Sequence, residues 1–113
     1  MLPKQNRLTT RGDFKGVFQG ALRARSGPFN LVCRKNNMQI SRFGFVIPLI
    51  VSKKAVQRNK LRRQLRDIIK HVLPNILEGY DCVIRAYPGA SDIEYKEIEK
   101  DVVFLFRSVG FLK

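Results

Sequence analysis

The chain has 113 residues, enough for one domain with a true core, and its 44% hydrophobic and 10% aromatic content excludes a disordered chain. No run approaches the roughly 18 apolar residues of a membrane span, and the start Met1-Leu2-Pro3-Lys4 lacks the apolar stretch of a secretory signal, so a cytoplasmic protein is expected. The net charge of +13 is uneven: residues 1–77 hold 17 of the 22 Lys/Arg against only Asp13 and Asp67, whereas the remaining 36 residues carry five cations and seven acids. A basic body of this kind calls for a polyanionic partner, because its field gathers phosphates and is self-repulsive without them.

Taken in chain order, Thr10-Arg11-Gly12-Asp13 has the form of a capping box opening a first helix that Gly20 ends, with Phe14 and Phe18 on one face at i, i+4. From the residues alone those rings suit either core packing, their commoner use, or a platform for bases. After Gly27-Pro28, the alternation of Phe29, Leu31 and Cys33 with Asn30, Val32 and Arg34 predicts a strand, and Lys35-Asn36-Asn37 its hairpin turn. Phe43–Ile47 is the return strand, closed by Pro48. Ser52 is placed to cap a long helix running to about Val72, before Pro74, with Leu61, Leu65, Ile68, Ile69 and Val72 as its apolar stripe. Tyr80–Tyr87 is a third strand. Ser91-Asp92-Ile93-Glu94 repeats the capping signature for a last amphipathic helix through Ile98, Val102, Leu105, Phe106 and Val109, which Gly110 ends. The order α, β, β, α, β, α, with a helix long enough for a parallel crossover, predicts an α+β fold: one small mixed sheet with helices on one face.

The long helix carries the chemistry. Arg58, Arg62 and Arg66 fall in one row at i, i+4, i+8, and Lys60 and Arg63 widen it, with no acid among them. Each such like-charge pair costs about 0.2–0.5 kcal/mol. Lys53 and Lys54 add charge near the helix N-terminus, where the dipole already favours anions. Arginine forks match phosphate oxygens, and Asn59 adds a neutral donor and acceptor for a nucleotide or a neighbouring strand. No helix-turn-helix or zinc-finger spacing accompanies them, so cations beside aromatics point to RNA with free bases. Cys33 and Cys82 lack metal-ligand spacing and read as reduced core thiols. His71, the one histidine, reads as a helix C-terminal residue, and Glu94, Glu97 and Asp101 as a solvated acidic face, so neither a protein metal site nor a catalytic side chain is expected.

The run Ala55-Val56-Gln57-Arg58-Asn59-Lys60-Leu61-Arg62-Arg63-Gln64-Leu65-Arg66-Asp67 resembles the signature of the bacterial ribonuclease P protein family, an Arg-Asn-Arg motif here with Lys third. Arg7-Leu8, Asp13-Phe14-Lys15, Val17-Phe18, Gly27-Pro28-Phe29, Tyr80-Asp81, Arg85-Ala86 and the helix from Tyr95 to Leu105 are similar in kind and order, so the likeness spans nearly the whole chain. The resemblance implies a single domain over 1–113, a ribosomal-protein-like fold with an additional short strand in many members, and a left-handed βαβ crossover bearing the signature helix. It further implies a cytoplasmic protein, a monomer in a 1:1 complex with a catalytic RNA, that assists removal of the 5′ leader of precursor tRNA. Hydrolysis is then the work of that RNA with Mg²⁺, and the enzyme is the ribonucleoprotein. Carried over, Arg58, Asn59, Lys60, Arg62, Arg63 and Arg66, with Lys53 and Lys54, meet the catalytic RNA, while Phe14, Phe18 and Phe29, with Arg11 and Lys15, line the leader cleft. Pro48-Leu49-Ile50 stand where many members have Ser-Lys-Lys, and Ser52-Lys53-Lys54 follow a few residues later. The rival expectation is a ribosomal-type RNA-binding protein without processing activity.

Overall fold

The computed structural model describes residues 2–20 and 22–113. A helix α1 (Arg11–Val17) is followed by strands β1 (Leu22–Ser26), β2 (Phe29–Lys35) and β3 (Arg42–Val46). Helix α2 (Ala55–Val72), strand β4 (Tyr80–Ala86) and helix α3 (Tyr95–Ser108) complete the order, with short 3-10 turns at Lys4–Asn6, Leu73–Asn75 and Ala90–Asp92. The strands form one mixed sheet in the order β1-β2-β4-β3, in which only β3 and β4 are parallel.

Two layers of apolar side chains hold the sheet from its two sides. On one face Phe29, Leu31 and Cys33 of β2, Phe43 and Phe45 of β3 and Cys82 and Ile84 of β4 meet Leu61, Leu65, Ile68 and Ile69 of α2 and Ile98, Val102, Leu105 and Phe106 of α3. Full burial of each large side chain contributes roughly 1.5–3 kcal/mol, so this layer dominates stability. On the other face a smaller cluster joins Val17 of α1 and Leu8 to Val32 and Val83, with Phe14 and Val46 packed against it. The helices therefore do not share one face. The short α1 carries too little apolar surface to compete for the main core, and it covers only part of the opposite face.

Local signals hold where the chain is its own context. Thr10 caps α1, its hydroxyl accepting the Asp13 N–H at 3.1 Å, although the helix ends at Val17, before Gly20. The stripe of α2 is buried as its spacing requires, and Gly110, with φ of +78°, ends α3 in the left-handed region open to glycine. Elsewhere distant pairing prevails. Lys35-Asn36-Asn37 is not a hairpin turn between neighbours, because β4 inserts between β2 and β3. The hairpin lies instead between β1 and β2, around Gly27-Pro28, and β1 is the strand the residue patterning missed. Its arginines Arg23 and Arg25 alternate with Leu22 and the small Ala24 on a sheet edge, which leaves little apolar contrast to see. Ser52 stands outside α2, which starts at Ala55; its Oγ accepts the Lys54 N–H at 3.2 Å in the preceding turn. Likewise Ser91 and Asp92 belong to a 3-10 turn, and α3 begins at Tyr95 without a side-chain cap.

Candidate RNA-binding surfaces

The stripe of α2 sits on the main core, so the rest of its circumference is turned outward. Asn59, Lys60 and Arg63 are exposed, Arg58, Arg62 and Arg66 are half-buried, and Lys53 and Lys54 lie exposed in the approach to the helix. Two of these side chains are held by polar contacts. Arg58 Nη1 donates to the Ser52 carbonyl at 2.8 Å, and Arg62 Nη1 donates to Asn59 Oδ1 at 3.0 Å, so Asn59 orients an arginine instead of capping a strand. Around Arg62, Arg63, Arg66, Asp67 and Tyr95 the surface forms an open depression of about 900 Å³.

Arg66 stands among other cations. Burial, followed by the nearby positive charges of Arg7 and Arg62, lowers its pKa, and its buried Nε has no hydrogen-bond partner among the described residues. A smaller depression of about 160 Å³ joins Arg7, Arg62 and Arg66 to Phe14 and Gly44. Arg7 is a member of this group that the charge pattern on α2 did not reveal; the N-terminal segment brings it there by pairing with the edge of β3, Leu8 N–H donating to the Phe43 carbonyl at 2.9 Å.

Phe14 reaches across to β3, where Gly44 makes room for it: a Cβ at position 44 would run into the Phe14 ring. Phe18, at the end of α1, is 39% exposed. The two rings thus stand at one rim of the sheet face that α1 partly covers. Arg11 and Lys15 are exposed, on the side of α1 away from the buried Val17, so they flank this rim and do not line the sheet. Phe29 does not belong to it. Strand alternation turns Phe29 to the main core, where it is wholly buried, on the sheet face opposite Phe14.

The same face bears Arg23, Arg25, Arg34, Arg42 and Arg85, since each lies in register with Asn30, Val32, Val83 or Asp81. Only Arg42 has carboxylate partners among the described residues. Its Nε and Nη2 donate to the two oxygens of buried Asp81 at 2.9 and 2.7 Å, and Asp13 of α1 lies 3.5 Å from Nη1. The hydrogen bonds to Asp81 raise the Arg42 pKa. Away from this face, Cys33 and Cys82 are free, buried and directly paired across β2 and β4, and burial above all raises the Cys82 thiol pKa. His71 lies in the last turn of α2, 3.8 Å from Asp67. Among the described residues no three His, Cys, Asp or Glu side chains gather as a metal site, and Asp101 accepts from Ser26 Oγ at 2.7 Å, tying β1 to α3. No helix is long and apolar enough to cross a membrane.

Comparison with known proteins gives one consistent match. The family model described as Ribonuclease P matches residues 2–110. The ribonuclease P protein component of Synechocystis sp. is 37% identical over 114 residues, covering 98% of this chain and 90% of the relative. Among solved structures, the RNase P protein from Thermotoga maritima superposes with a TM-score of 0.80 at 29% identity, covering 89% of this chain and 96% of that one. The Staphylococcus aureus RNase P protein, at 20% identity, shares the fold with a TM-score of 0.87 over 96% of this chain and 98% of its own.

Proposed function

Because the chain belongs to the ribonuclease P protein family and is the protein subunit of that tRNA-processing ribonucleoprotein, we propose that α2 docks on the RNA subunit and that the sheet face beside α1 receives the 5′ leader of precursor tRNA. One observation carries this reading: two surfaces suited to RNA meet at a single junction. Arg7, Arg62 and Arg66 join the cation row of α2 to the Phe14 ring over Gly44. A chain held by its catalytic RNA through α2 thereby presents Phe14 and Phe18 to any single strand leaving that RNA's substrate.

In this reading the protein acts by position and charge. Arg58, Lys60, Arg62, Arg63 and Arg66, with Lys53 and Lys54, meet phosphates of the RNA subunit and displace its counterions. Phe14 and Phe18 offer ring faces to unpaired leader bases, a contact worth about 1–3 kcal/mol per base and tolerant of sequence. Hydrolysis belongs to the RNA subunit, whose Mg²⁺ supplies the metal-assisted chemistry, and the protein binds one RNA as a monomer. By screening repulsion between two RNAs and adding leader contacts, it lowers the Mg²⁺ concentration that cleavage requires.

The test is cleavage of a precursor tRNA at low Mg²⁺ by bacterial ribonuclease P RNA, with and without the protein, beside the protein alone. Strong stimulation by the protein, and no cleavage by it alone, is the expected outcome. Folded, RNA-bound protein that leaves cleavage unchanged would overturn the reading in favour of a purely structural RNA-binding role.

A further inference from the structure

Strand β1 leaves one edge of the sheet open. At the opposite edge the N-terminal segment closes β3, Arg7 bridging to Phe43, whereas β1 pairs only with β2. A two-residue hairpin closes on a hydrogen-bonded pair, here Ser26 and Phe29 around Gly27-Pro28. The alternation of an antiparallel ladder then turns the N–H and C=O groups of Arg23 and Arg25 away from β2, and among the described residues no other backbone group takes them up. Helix α3 runs along this edge on the core side. Asp101 accepts from Ser26 Oγ at 2.7 Å at one end of β1, and Phe111, just past the helix, packs on Tyr80 near the Leu22 end, since Tyr80 lies opposite Lys35. Phe104, one turn on from Asp101 on the same flank of α3, is 51% exposed. Leu22, which shares the core face of β1 with Ala24, is 39% exposed.

Charged residues on an edge strand are an ordinary guard against mispairing. Arg23 and Arg25 fit that role on one face of the sheet, but a guard does not account for the two apolar side chains left uncovered along the same edge on the other. A further strand meets all of these features together. Its backbone takes the open N–H and C=O groups, and its alternate side chains on the core side cover Phe104 and Leu22. Those on the other side lie beside Arg23 and Arg25. Arg23 Nη2 reaches the Phe18 carbonyl at 2.7 Å and Arg25 the Tyr87 ring, contacts that leave both charges without a carboxylate among the described residues. Acids in the added strand complete the pairing. A second copy of this chain does not, because antiparallel pairing of two β1 edges sets arginine against arginine. An RNA strand has no amide ladder to offer the edge.

We propose that the β1 edge docks an extended segment of a protein partner, in which acids alternate with apolar residues and which joins the sheet as a further strand beside β1. The backbone bonds supply affinity, and the alternation supplies specificity. Two acids, two residues apart, pair with Arg23 and Arg25, while the apolar residues between them cover Leu22 and Phe104. The site lies at the sheet edge opposite the junction of Arg7, Arg62 and Arg66, so it stays open while α2 holds the RNA subunit. One small domain thereby holds RNA by a helix at one edge and a partner chain by a strand at the other.

The experiment uses the full-length protein, alone and assembled with bacterial ribonuclease P RNA, and a fluorescent synthetic peptide of about eight residues that alternates glutamate with valine. Its controls are the same residues arranged in two blocks, lysine in place of glutamate, and the alternating peptide with its amides N-methylated. The alternating acidic peptide is expected to bind both forms of the protein and to shift the amide resonances of Leu22–Ser26 and the Phe104 turn of α3. Each control is expected to bind about tenfold more weakly. Arg23→Glu with Arg25→Glu is expected to weaken the acidic peptide about tenfold and to turn the preference toward the lysine peptide. Phe104→Ala, at an exposed position, is expected to weaken the peptide about fivefold with RNA-subunit binding unchanged. Binding that ignores alternation, charge sign or N-methylation would make the edge a non-specific cationic surface and overturn the proposal, as would shifts confined to α2. Sedimentation showing that the chain dimerises through β1 would assign the edge to a second copy, and displacement of the peptide by a single-stranded RNA oligonucleotide of higher affinity would assign it to RNA; either result refutes a peptide partner.

Discussion

Asp81 and Gly44 show how single residues shape the leader face. The Asp81 side chain is 1% exposed and is satisfied by Arg42 through both oxygens and by Asn36 Nδ2 at 2.8 Å. Asp81→Asn removes the charge that binds Arg42 through both oxygens and leaves it only the longer Asp13 contact, so the substitution is expected to cost about 1–3 kcal/mol. In urea unfolding this lowers the midpoint with the slope unchanged; a change within experimental error would mean that water, not Asp81, satisfies Arg42. Gly44 acts through space and not charge. Gly44→Ala drives the Phe14 ring from its place, and because that ring is half-buried and free to turn outward, stability falls only modestly, by about 1 kcal/mol. Precursor tRNA affinity is expected to fall with mature tRNA affinity unchanged, as a comparison of the two dissociation constants will show.

At the scale of elements, α2 is a helix that its own charges oppose. The like-charge pairs at i, i+4 each cost a few tenths of a kcal/mol, whereas burial of Leu61, Leu65, Ile68 and Ile69 contributes roughly 1.5–3 kcal/mol apiece. Packing wins by a wide margin, so the cation row stands ready before any RNA arrives. The α2 and α3 pair is also joined by one polar contact, the Tyr95 hydroxyl donating to Asp67 Oδ2 at 2.7 Å. That bond holds the Asp67 carboxyl below its usual range, and burial, with the Asp67 hydrogen bond second, pushes the Tyr95 hydroxyl up to about 12. The Tyr95 contribution is therefore fully present below the ordinary tyrosine value of about 10 and is lost as pH rises through about 12. The Asp67 contribution is present above the ordinary carboxylate value of about 4 and is lost as pH falls through its depressed value. Tyr95→Phe is expected to lower the melting temperature by a constant amount across neutral pH, with the difference from the parent protein closing at both extremes. A difference that does not change with pH would show that the two groups are not coupled.

For the whole molecule, the charge of +13 resolves into α2 and the uncovered half of the sheet, which converge at Arg7, Arg62 and Arg66. Salt dependence reads this directly. Arg58→Ala together with Arg62→Ala is expected to weaken binding to the RNA subunit and to flatten the slope of log affinity against log salt by about 0.7–0.9 for each phosphate no longer neutralised. Titration at several salt concentrations checks it, and an unchanged slope would move the interface off α2.

Local sequence suffices for α2 with its buried stripe and outward cations, for the strands β2 and β4, for the cap at Thr10 and for the stop at Gly110. All of these follow from periodicity or from bonds within a few residues. The family likeness was legible for the same reason, since its signature is a run along one helix. Only the folded chain settles that β4 lies between β2 and β3, that α1 covers the other side of the sheet, and that β1 extends it. Those choices place Phe29 in the core and Phe14 over Gly44 on the opposite face. They also bring Arg42 to Asp81, Tyr95 to Asp67 and Arg25 to Tyr87, pairs distant in sequence. The physical reason is that strand partners and sheet faces are selected by which apolar surfaces bury together, a property of the assembled chain that no local spacing contains.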